Sequence, residues 1–240
     1  MGQPKRLNID EFSLRKGHKD FVTTVCDIDS SELLEVIDSH KQQDIIEVLM
    51  QQPVEVREAV LEVSVDMWGG FAKVIKETLP NAAIIYDRFH VMKLVNGELN
   101  KLRKKIGIKD RHSKYLLLKN LADLDEAQVA HLTQILSQSP CLQIAHELKE
   151  EFRAIYEKDQ TVKSGQIQMK KWLQTARILF SDAAQTIQNH LEGICNYFIS
   201  RATSGVIEGI NTRIKLIMRQ GYGFSNFENF RSRLFACFLH

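Results

Sequence analysis

The N-terminal part of the chain contains segments in which apolar and polar positions alternate, the pattern of half-buried β-strands. Turn-forming residues separate these segments, which lie at residues 6–12, 21–28 and 33–37. Three successive strands with short connections predict an antiparallel meander.

After this meander, segments with helical spacing alternate with short apolar runs. Residues 44–60 have helical spacing, and Pro53 is placed to start a new helix within them. The apolar runs 61–65 and 82–86 lie on either side of an amphipathic segment at residues 71–79. This order of strand, helix and strand predicts a crossover that joins two parallel strands.

From Arg88 to Ser200, apolar positions recur with helical spacing almost throughout. Breaks in the pattern are predicted near Gly107, residues 123–125, residues 139–140, Gly165 and residues 181–182. Two further helices are predicted after residue 200. The chain is therefore predicted to be an α/β protein in which residues 1–90 and 201–240 form the core, and residues 91–200 form an all-helical insertion.

The composition is that of a globular protein, with 240 residues and 44% hydrophobic content, enough to bury a substantial core. The four cysteines are widely spaced and form no Cys-x-x-Cys pair, which argues against a zinc site and a disulfide framework. No apolar run reaches the ~18 residues of a membrane-spanning helix, and no signal-peptide segment is apparent. These features predict a cytoplasmic protein.

The net charge of +2 is too small to indicate a nucleic-acid partner, so that argument depends on local clusters. Basic residues concentrate between residues 88 and 105, and again between residues 201 and 233. Solvated helix faces are the common alternative explanation for both clusters.

A segment at residues 205–219 places one carboxylate among cations on one face of a predicted helix. At roughly 100° per residue, a polar stripe forms opposite an apolar stripe. The polar stripe comprises Glu208, Asn211, Thr212, Lys215 and Arg219, and the apolar stripe comprises Ile207, Ile210, Ile214 and Ile217. The polar stripe suggests a metal ligand beside bound phosphates, and an ordinary amphipathic helix with intrahelical ion pairs is the alternative.

Two aspartates, Asp10 and Asp66, stand near the ends of strands that are predicted to be neighbours. Together with Glu208 they provide oxygen ligands for two hard divalent cations, Mg²⁺ or Mn²⁺. Such a pair of ions activates a nucleophile and stabilises the leaving oxygen of a phosphodiester. As isolated residues, the aspartates are more often turn or capping residues. Glu11 is expected on the opposite strand face and is not expected to share the metals.

Three segments resemble the ISL-three family of bacterial insertion-sequence transposases: residues 9–18, residues 80–90 and residues 208–224, which include Glu-Gly-x-Asn-x-x-Ile-Lys. The resemblance covers nearly the whole chain. It implies a ribonuclease-H-like mixed sheet with flanking helices, interrupted by a helical insertion. It also implies a catalytic triad at Asp10, Asp66 and Glu208, and metal-dependent DNA cleavage and strand transfer.

Asp87 ends an apolar strand and competes with Asp66 for the second triad position, although Asp66 is preferred. Related transposases carry a Cys-or-Asp-x-x-His motif after the second aspartate, which assigns a supporting role to Asp87 and His90. The alternative is that Asp87 caps the following helix and His90 packs against it. Asn211, within the motif that begins at Glu208, is assigned to the same supporting group.

Double-stranded DNA, as transposon ends and as target, is the partner that the resemblance implies. The predicted DNA contacts are Arg15, Lys16, Trp172, Arg213, Lys215, Arg219, Tyr222 and Arg231. Arg15 and Lys16 are equally consistent with a solvated turn, and tryptophans such as Trp172 are more often part of a helical core. A homo-oligomer assembled on DNA, and association with the bacterial nucleoid when DNA is bound, are expected.

Complete members of the resembled family carry an N-terminal zinc-binding and helix-turn-helix region, whereas this chain starts near the first predicted catalytic strand. The expectation is therefore a transposase catalytic core without its sequence-specific reader. A truncated, non-catalytic DNA-binding or assembly module is the alternative. A nuclease of the same fold that performs no strand transfer is a third possibility.

Overall fold

The computed structural model describes residues 3–15, 19–67, 69–201, 205–221, 224 and 226–238. The chain divides into two compact units, of which the first comprises Met1–Asp87 with Arg201–His240 and the second comprises Arg88–Ser200. The predicted limit at residue 90 lies inside the first helix of the second unit, because that helix begins directly after Asp87.

The sheet of the first unit has the strand order β3-β2-β1-β4-β5. Its strands are β1 (Arg6–Arg15), β2 (Lys19–Asp27), β3 (Glu32–Ile37), β4 (Glu62–Val65) and β5 (Ala83–Tyr86). The first three strands pair antiparallel, whereas β4 pairs parallel with both β1 and β5. The predicted meander and crossover are both present, and the helix-flanked mixed sheet confirms the α/β, ribonuclease-H-like fold class.

The helices begin after the meander and dominate the second unit. In chain order they are α1 (Gln42–Met50), α2 (Val54–Ala59), α3 (Gly69–Thr78), α4 (Arg88–Ile106), α5 (Ser113–Leu118), α6 (Glu126–Leu136), α7 (Pro140–Glu157), α8 (Val162–Leu179), α9 (Ser181–Asn189), α10 (Leu191–Cys195), α11 (Tyr197–Ser200), α12 (Gly205–Gln220) and α13 (Phe227–Phe238). Pro53 directly precedes α2, as its fixed φ predicts. Among the described residues, no helix is long and apolar enough to cross a membrane.

One face of the sheet packs against α12 and α13, and the alternation along the strands decides which side chains take part. The core cluster comprises Phe12, Val22, Cys26, Leu33, Val36, Ile210, Ile214, Ile217, Phe230, Leu234 and Phe238. The apolar stripe predicted for α12 therefore faces this core, through the three isoleucines whose side chains are described there. Burial of such side chains, at ~1.5–3 kcal/mol each, stabilises the helix on the sheet.

The second unit is built around α7 and α8, whose starts follow from local sequence. Ser139 caps α7 by accepting a hydrogen bond from the backbone of Leu142, and Pro140 occupies the first turn. Thr161 caps α8 in the same way. Asp125 and Gln128 form a capping box at the start of α6.

The break predicted near Gly165 is wrong, because α8 continues through this residue. A Cβ atom at Gly165 would lie 2.2 Å from a ring carbon of Phe198. Close packing of the Phe198 ring therefore requires the glycine, whose lower helix propensity costs ~1 kcal/mol relative to alanine.

Candidate active site

Three aspartates occupy one row across neighbouring strands. The parallel pairing of β1 with β4 aligns Ile9 with Val65, so Asp10 and Asp66 are each the next residue along. The pairing of β4 with β5 aligns Val65 with Tyr86, which places Asp87 next in the same row. The register of the parallel strands thus brings Asp10, Asp66 and Asp87 to one level of the sheet.

The carboxylate of Asp10 accepts hydrogen bonds from a backbone group and from a side chain of the described residues. The backbone N–H of Glu11 donates to Oδ1 at 2.9 Å, and the side-chain amide of Asn211 donates to Oδ2 at 2.8 Å. Asp10 lies two residues before Phe12 on β1, so both side chains project from the face that packs against α12. The sheet and α12 together therefore fix the orientation of this carboxylate.

Glu208 lies in the first turn of α12, and its side chain is exposed. It stands one helical turn before Asn211 and hence on the same side of the helix. Negative charge is favourable in this first turn, because the backbone N–H groups there point toward it. Among the described residues, no three His, Cys, Asp or Glu side chains are close enough together to hold a metal ion.

Asp66 follows β4 directly, and its Oδ1 accepts a hydrogen bond from the backbone N–H of Met67. The backbone N–H of Asp87 donates to the carbonyl of Val65 at 3.0 Å, which extends the sheet by one residue. Asp87 also directly precedes α4, the position of a helix cap. His90 belongs to the first turn of α4, in the second unit, where its ring meets that of Phe89 edge-on.

The carboxylates of Asp10 and Asp66 act electrostatically on the neighbouring carboxyl of Glu11. Burial raises the pKa of the Glu11 carboxyl above its ordinary value, the negative charges of Asp10 and Asp66 raise it further, and His40 acts in the opposite direction. Carboxylate oxygens at one level of a sheet are the hard donors that Mg²⁺ and Mn²⁺ prefer. The oxygen donors of Asp10, Asp66 and Glu208 are of the chemical type that a divalent cation takes, although these three are not gathered closely enough in the described part of the chain to hold one.

Cys26 also lies close to this group, although nothing in its local sequence pointed to the site. Burial, and secondly the charge of Asp10, raise the pKa of the Cys26 thiol to about 12, so the thiol stays neutral. The pairing of β1 with β2 aligns Cys26 with Asn8. The predicted antiparallel pairing of the first two strands is the sequence signal that could have placed Cys26 there.

The predicted DNA-contact residues of α12 and α13 divide into two groups. Lys215 and Arg219 are exposed, with the Lys215 amine 5.8 Å from the centre of the Phe12 ring. Arg213 donates to the carbonyl of Cys237 and lies over the Phe238 ring. Arg231 forms a bidentate ion pair with Glu35, with N–O distances of 2.8 and 3.0 Å. The two arginines thus have partners within the first unit, whereas Lys215 and Arg219 are directed toward solvent.

Trp172 occupies the core of the second unit. Its side chain is 4% exposed, and its indole N–H donates to the carbonyl of Leu148 at 2.8 Å. Its ring lies 4.4 Å from that of Phe152, measured between centroids. These contacts are those of a core residue.

Two predicted DNA contacts, Lys16 and Tyr222, lie outside the described residues. Arg15 is the last residue of β1, and its side chain also lies outside the described part of the chain.

The chain resembles transposases of known insertion sequences along most of its length. The ISL-three family model, described as Transposase, matches residues 7–234. The transposase for insertion sequence element IS1001 of Bordetella parapertussis is 26% identical over 97% of this chain and 60% of its own length. The transposase for IS1557 of Mycobacterium tuberculosis is 27% identical over 92% of this chain and 57% of its own length.

The chain thus spans about three fifths of the length of these relatives. A Lactococcus lactis protein named ATP-dependent protease is 31% identical, but over only 48% of this chain and 36% of its own length. The family match, by contrast, covers both parts of the first unit and the whole of the second. This chain belongs to the ISL-three family of transposases.

Proposed function

We propose that this chain is the catalytic domain of a DNA transposase, in which Asp10, Asp66 and Glu208 bind two divalent metal ions. The observation that carries the proposal is the alignment of Asp10 with Asp66 in the parallel register, together with the hydrogen bond from Asn211 to Asp10. That bond connects the sheet aspartates to the helix that carries Glu208. Bound Mg²⁺ or Mn²⁺ would polarise the scissile phosphate and stabilise the charge that develops on the leaving oxygen.

The chain's own residues orient the carboxylates. Asp10 is held from two sides, by the backbone of Glu11 and by Asn211, and Asp66 is held by the backbone of Met67. Glu208 is exposed in the first turn of α12, so its carboxylate can turn toward the aspartates without leaving a packed position. Two oxygen donors are thus pre-oriented, and the exposed side chain of Glu208 is proposed to complete the site by turning toward them.

The proposed reaction is phosphoryl transfer. A water oxygen attacks the phosphorus at a transposon end, and the bond to the 3′-oxygen breaks, which leaves a 3′-hydroxyl. That hydroxyl then attacks a target phosphodiester, and a target 3′-oxygen leaves. Asp87 and His90 remain proposed as supporting residues for this chemistry.

DNA is proposed to approach along the polar face of α12, where Lys215 and Arg219 provide phosphate contacts. Arg15, Lys16 and Tyr222 remain proposed contacts. The internal partners of Arg213 and Arg231 favour an indirect role for these arginines, in holding α13 in place. We further propose that the active species is a homo-oligomer on DNA and that it joins the nucleoid when bound.

Metal-dependent cleavage of supercoiled and short duplex DNA tests the proposal. Asp10→Asn, Asp66→Asn and Glu208→Gln are expected to lose cleavage while they retain DNA binding. Glu228→Gln is the matched control, because Glu228 is also an exposed carboxylate in the first turn of a helix, α13. Wild-type cleavage by Glu208→Gln would refute the triad assignment.

A second candidate function is a DNA-binding or assembly module without catalysis. Its basis is the exposed cations of α12, Lys215 and Arg219, which can contact DNA phosphates without any catalytic step. Calorimetric titration with Mn²⁺ separates the two functions. A catalytic core is expected to bind Mn²⁺ and to lose that binding in Asp10→Asn. A non-catalytic module is expected to show no Mn²⁺ binding that depends on Asp10.

A further inference from the structure

The second unit carries a concentration of cations at the corner between α4 and α5. We define this basic corner as Lys104, Lys105, Lys109, Arg111 and Lys114, all of which are exposed. For none of the five does the described part of the chain provide an ion pair. Other cations of the same unit do have acidic partners, as in the pairs Arg88–Glu157 and Lys101–Glu98.

Asp110 is the only carboxylate in the sequence between residues 104 and 114, and its side chain contacts two histidines. Its Oδ2 lies 2.7 Å from Nε2 of His131, and its Oδ1 accepts the backbone N–H of His112 at 2.8 Å. The bond to His131 is the main cause that lowers the pKa of Asp110 below its ordinary value. Asp110 therefore organises the loop and forms no described ion pair with the five cations, so the segment keeps a strong net positive charge.

The corner is rigidly built. Gly107, at φ 82°, ends α4, its N–H donates to the carbonyl of Lys104, and the N–H of Ile108 donates to the carbonyl of Arg103. This pair of bonds is a Schellman motif. The guanidinium of Arg103 also donates to the hydroxyl of Ser113 at 3.2 Å. The first residue of α5 is thus fixed against the last turn of α4, which brings the cations before and after the loop into one region.

Helix stability explains only part of this cluster. Cations in the last turn of a helix interact favourably with its carbonyl end, which accounts for Lys104 and Lys105. Lys109 and Arg111 lie in the loop beyond that end, and Lys114 lies in the first turn of α5, where a positive charge is unfavourable. Mutual repulsion among exposed like charges is tolerated where a polyanion balances it.

We propose that the basic corner, which belongs to the second unit, binds the phosphate backbone of DNA, whereas the carboxylates, Lys215 and Arg219 belong to the first unit. This inference rests on the proposed function in one respect, that DNA is the partner. Contacts with phosphates carry no sequence information, so the corner is expected to bind any duplex and to hold DNA on the helical unit.

The test is the affinity of the chain for a random-sequence duplex, measured by fluorescence anisotropy at several salt concentrations. The variant Lys109→Gln/Arg111→Gln/Lys114→Gln removes three charges and leaves the end of α4 intact. The slope of log K against log salt is negative, and its magnitude is expected to fall by about 3, because each lost phosphate contact reduces that magnitude by about 1.

Two controls accompany this variant. Lys163→Gln/Lys170→Gln/Lys171→Gln removes the same charge from exposed positions of α8 and is expected to keep the wild-type slope. Lys109→Arg/Arg111→Lys/Lys114→Arg preserves the charge and should bind as the wild-type chain does. Thermal melting checks that each variant is folded.

The outcomes separate this inference from the proposed function. An equal reduction of the salt dependence in the corner variant and in the α8 variant would overturn the proposal for the basic corner. DNA would remain the partner of the chain. A complete loss of duplex affinity in the charge-preserving variant would also overturn the proposal, because binding would then not depend on positive charge. A wild-type chain that binds no duplex at low salt would overturn both proposals.

Discussion

The side-chain amide of Asn211 donates a 2.8 Å hydrogen bond to the carboxylate of Asp10, although 201 positions separate the two residues in sequence. The bond joins α12 to the centre of the sheet at the level of Asp66. It therefore couples the stability of the first unit to the geometry of the proposed active site.

Asn211→Ala is expected to destabilise the first unit by about 1–3 kcal/mol, because it leaves a part-buried carboxylate oxygen without this donor. Thermal unfolding measures the loss as a decrease of several degrees in Tm. Thr212→Ala, at the exposed neighbouring position on α12, is the control. Equal Tm values for the two variants would contradict a stabilising role of the Asn211–Asp10 bond.

Two helical glycines, Gly165 and Gly97, allow the effect of close packing to be compared with the effect of helix propensity. Gly165→Ala is expected to destabilise the second unit, because the new methyl group would lie 2.2 Å from a carbon of the Phe198 ring. Gly97→Ala, in α4, has no atom within 4 Å of the new Cβ and is expected to stabilise by up to ~1 kcal/mol. Urea unfolding of both variants gives the comparison, and a stabilised Gly165→Ala variant would contradict the observed packing.

Trp172→Phe tests whether this residue is structural. The variant keeps an aromatic ring but loses the hydrogen bond to the carbonyl of Leu148 and part of the buried surface. We expect a loss of about 1–3 kcal/mol in unfolding free energy, with unchanged affinity for single-stranded DNA. A weakened affinity at unchanged stability would instead support base stacking by Trp172.

Acid is expected to destabilise the second unit through His146. Burial, and secondly the nearby charge of Lys149, lower the pKa of His146 from 6.5 to about 4. Between these values the unfolded chain binds a proton that the folded chain does not, so stability falls as the pH decreases from about 6.5 to 4. The expected loss over this range is on the order of 3 kcal/mol.

The variant His146→Leu isolates this contribution, because it removes the titrating group from its buried position on α7. Unfolding free energies at pH 7 and pH 5 are expected to differ less than in the wild-type chain. His112→Leu, at an exposed position, should leave the difference nearly unchanged. A pH dependence that persists in His146→Leu would assign the effect to another group.

Local patterns in the sequence were sufficient for the elements and their order. Alternation predicted the strands of the meander, and helical spacing predicted that the apolar stripe of α12 packs on the core, which Ile210, Ile214 and Ile217 confirm. Caps such as Ser139 and Asp125 mark helix starts directly. These features depend on residues that are close together in the sequence, so they can be predicted from hydrophobic patterns with a period of two or 3.6 residues.

Only the tertiary structure decided which distant residues meet. The strand register determined that Asp10 and Asp66 share one level, and packing of α12 determined that Asn211 reaches Asp10. Likewise, the ring of Phe198 leaves no room for a side chain at Gly165, and Glu35 forms an ion pair with Arg231. Each pairing depends on how elements far apart in the chain are aligned and packed, and local periodicity contains no information about that alignment.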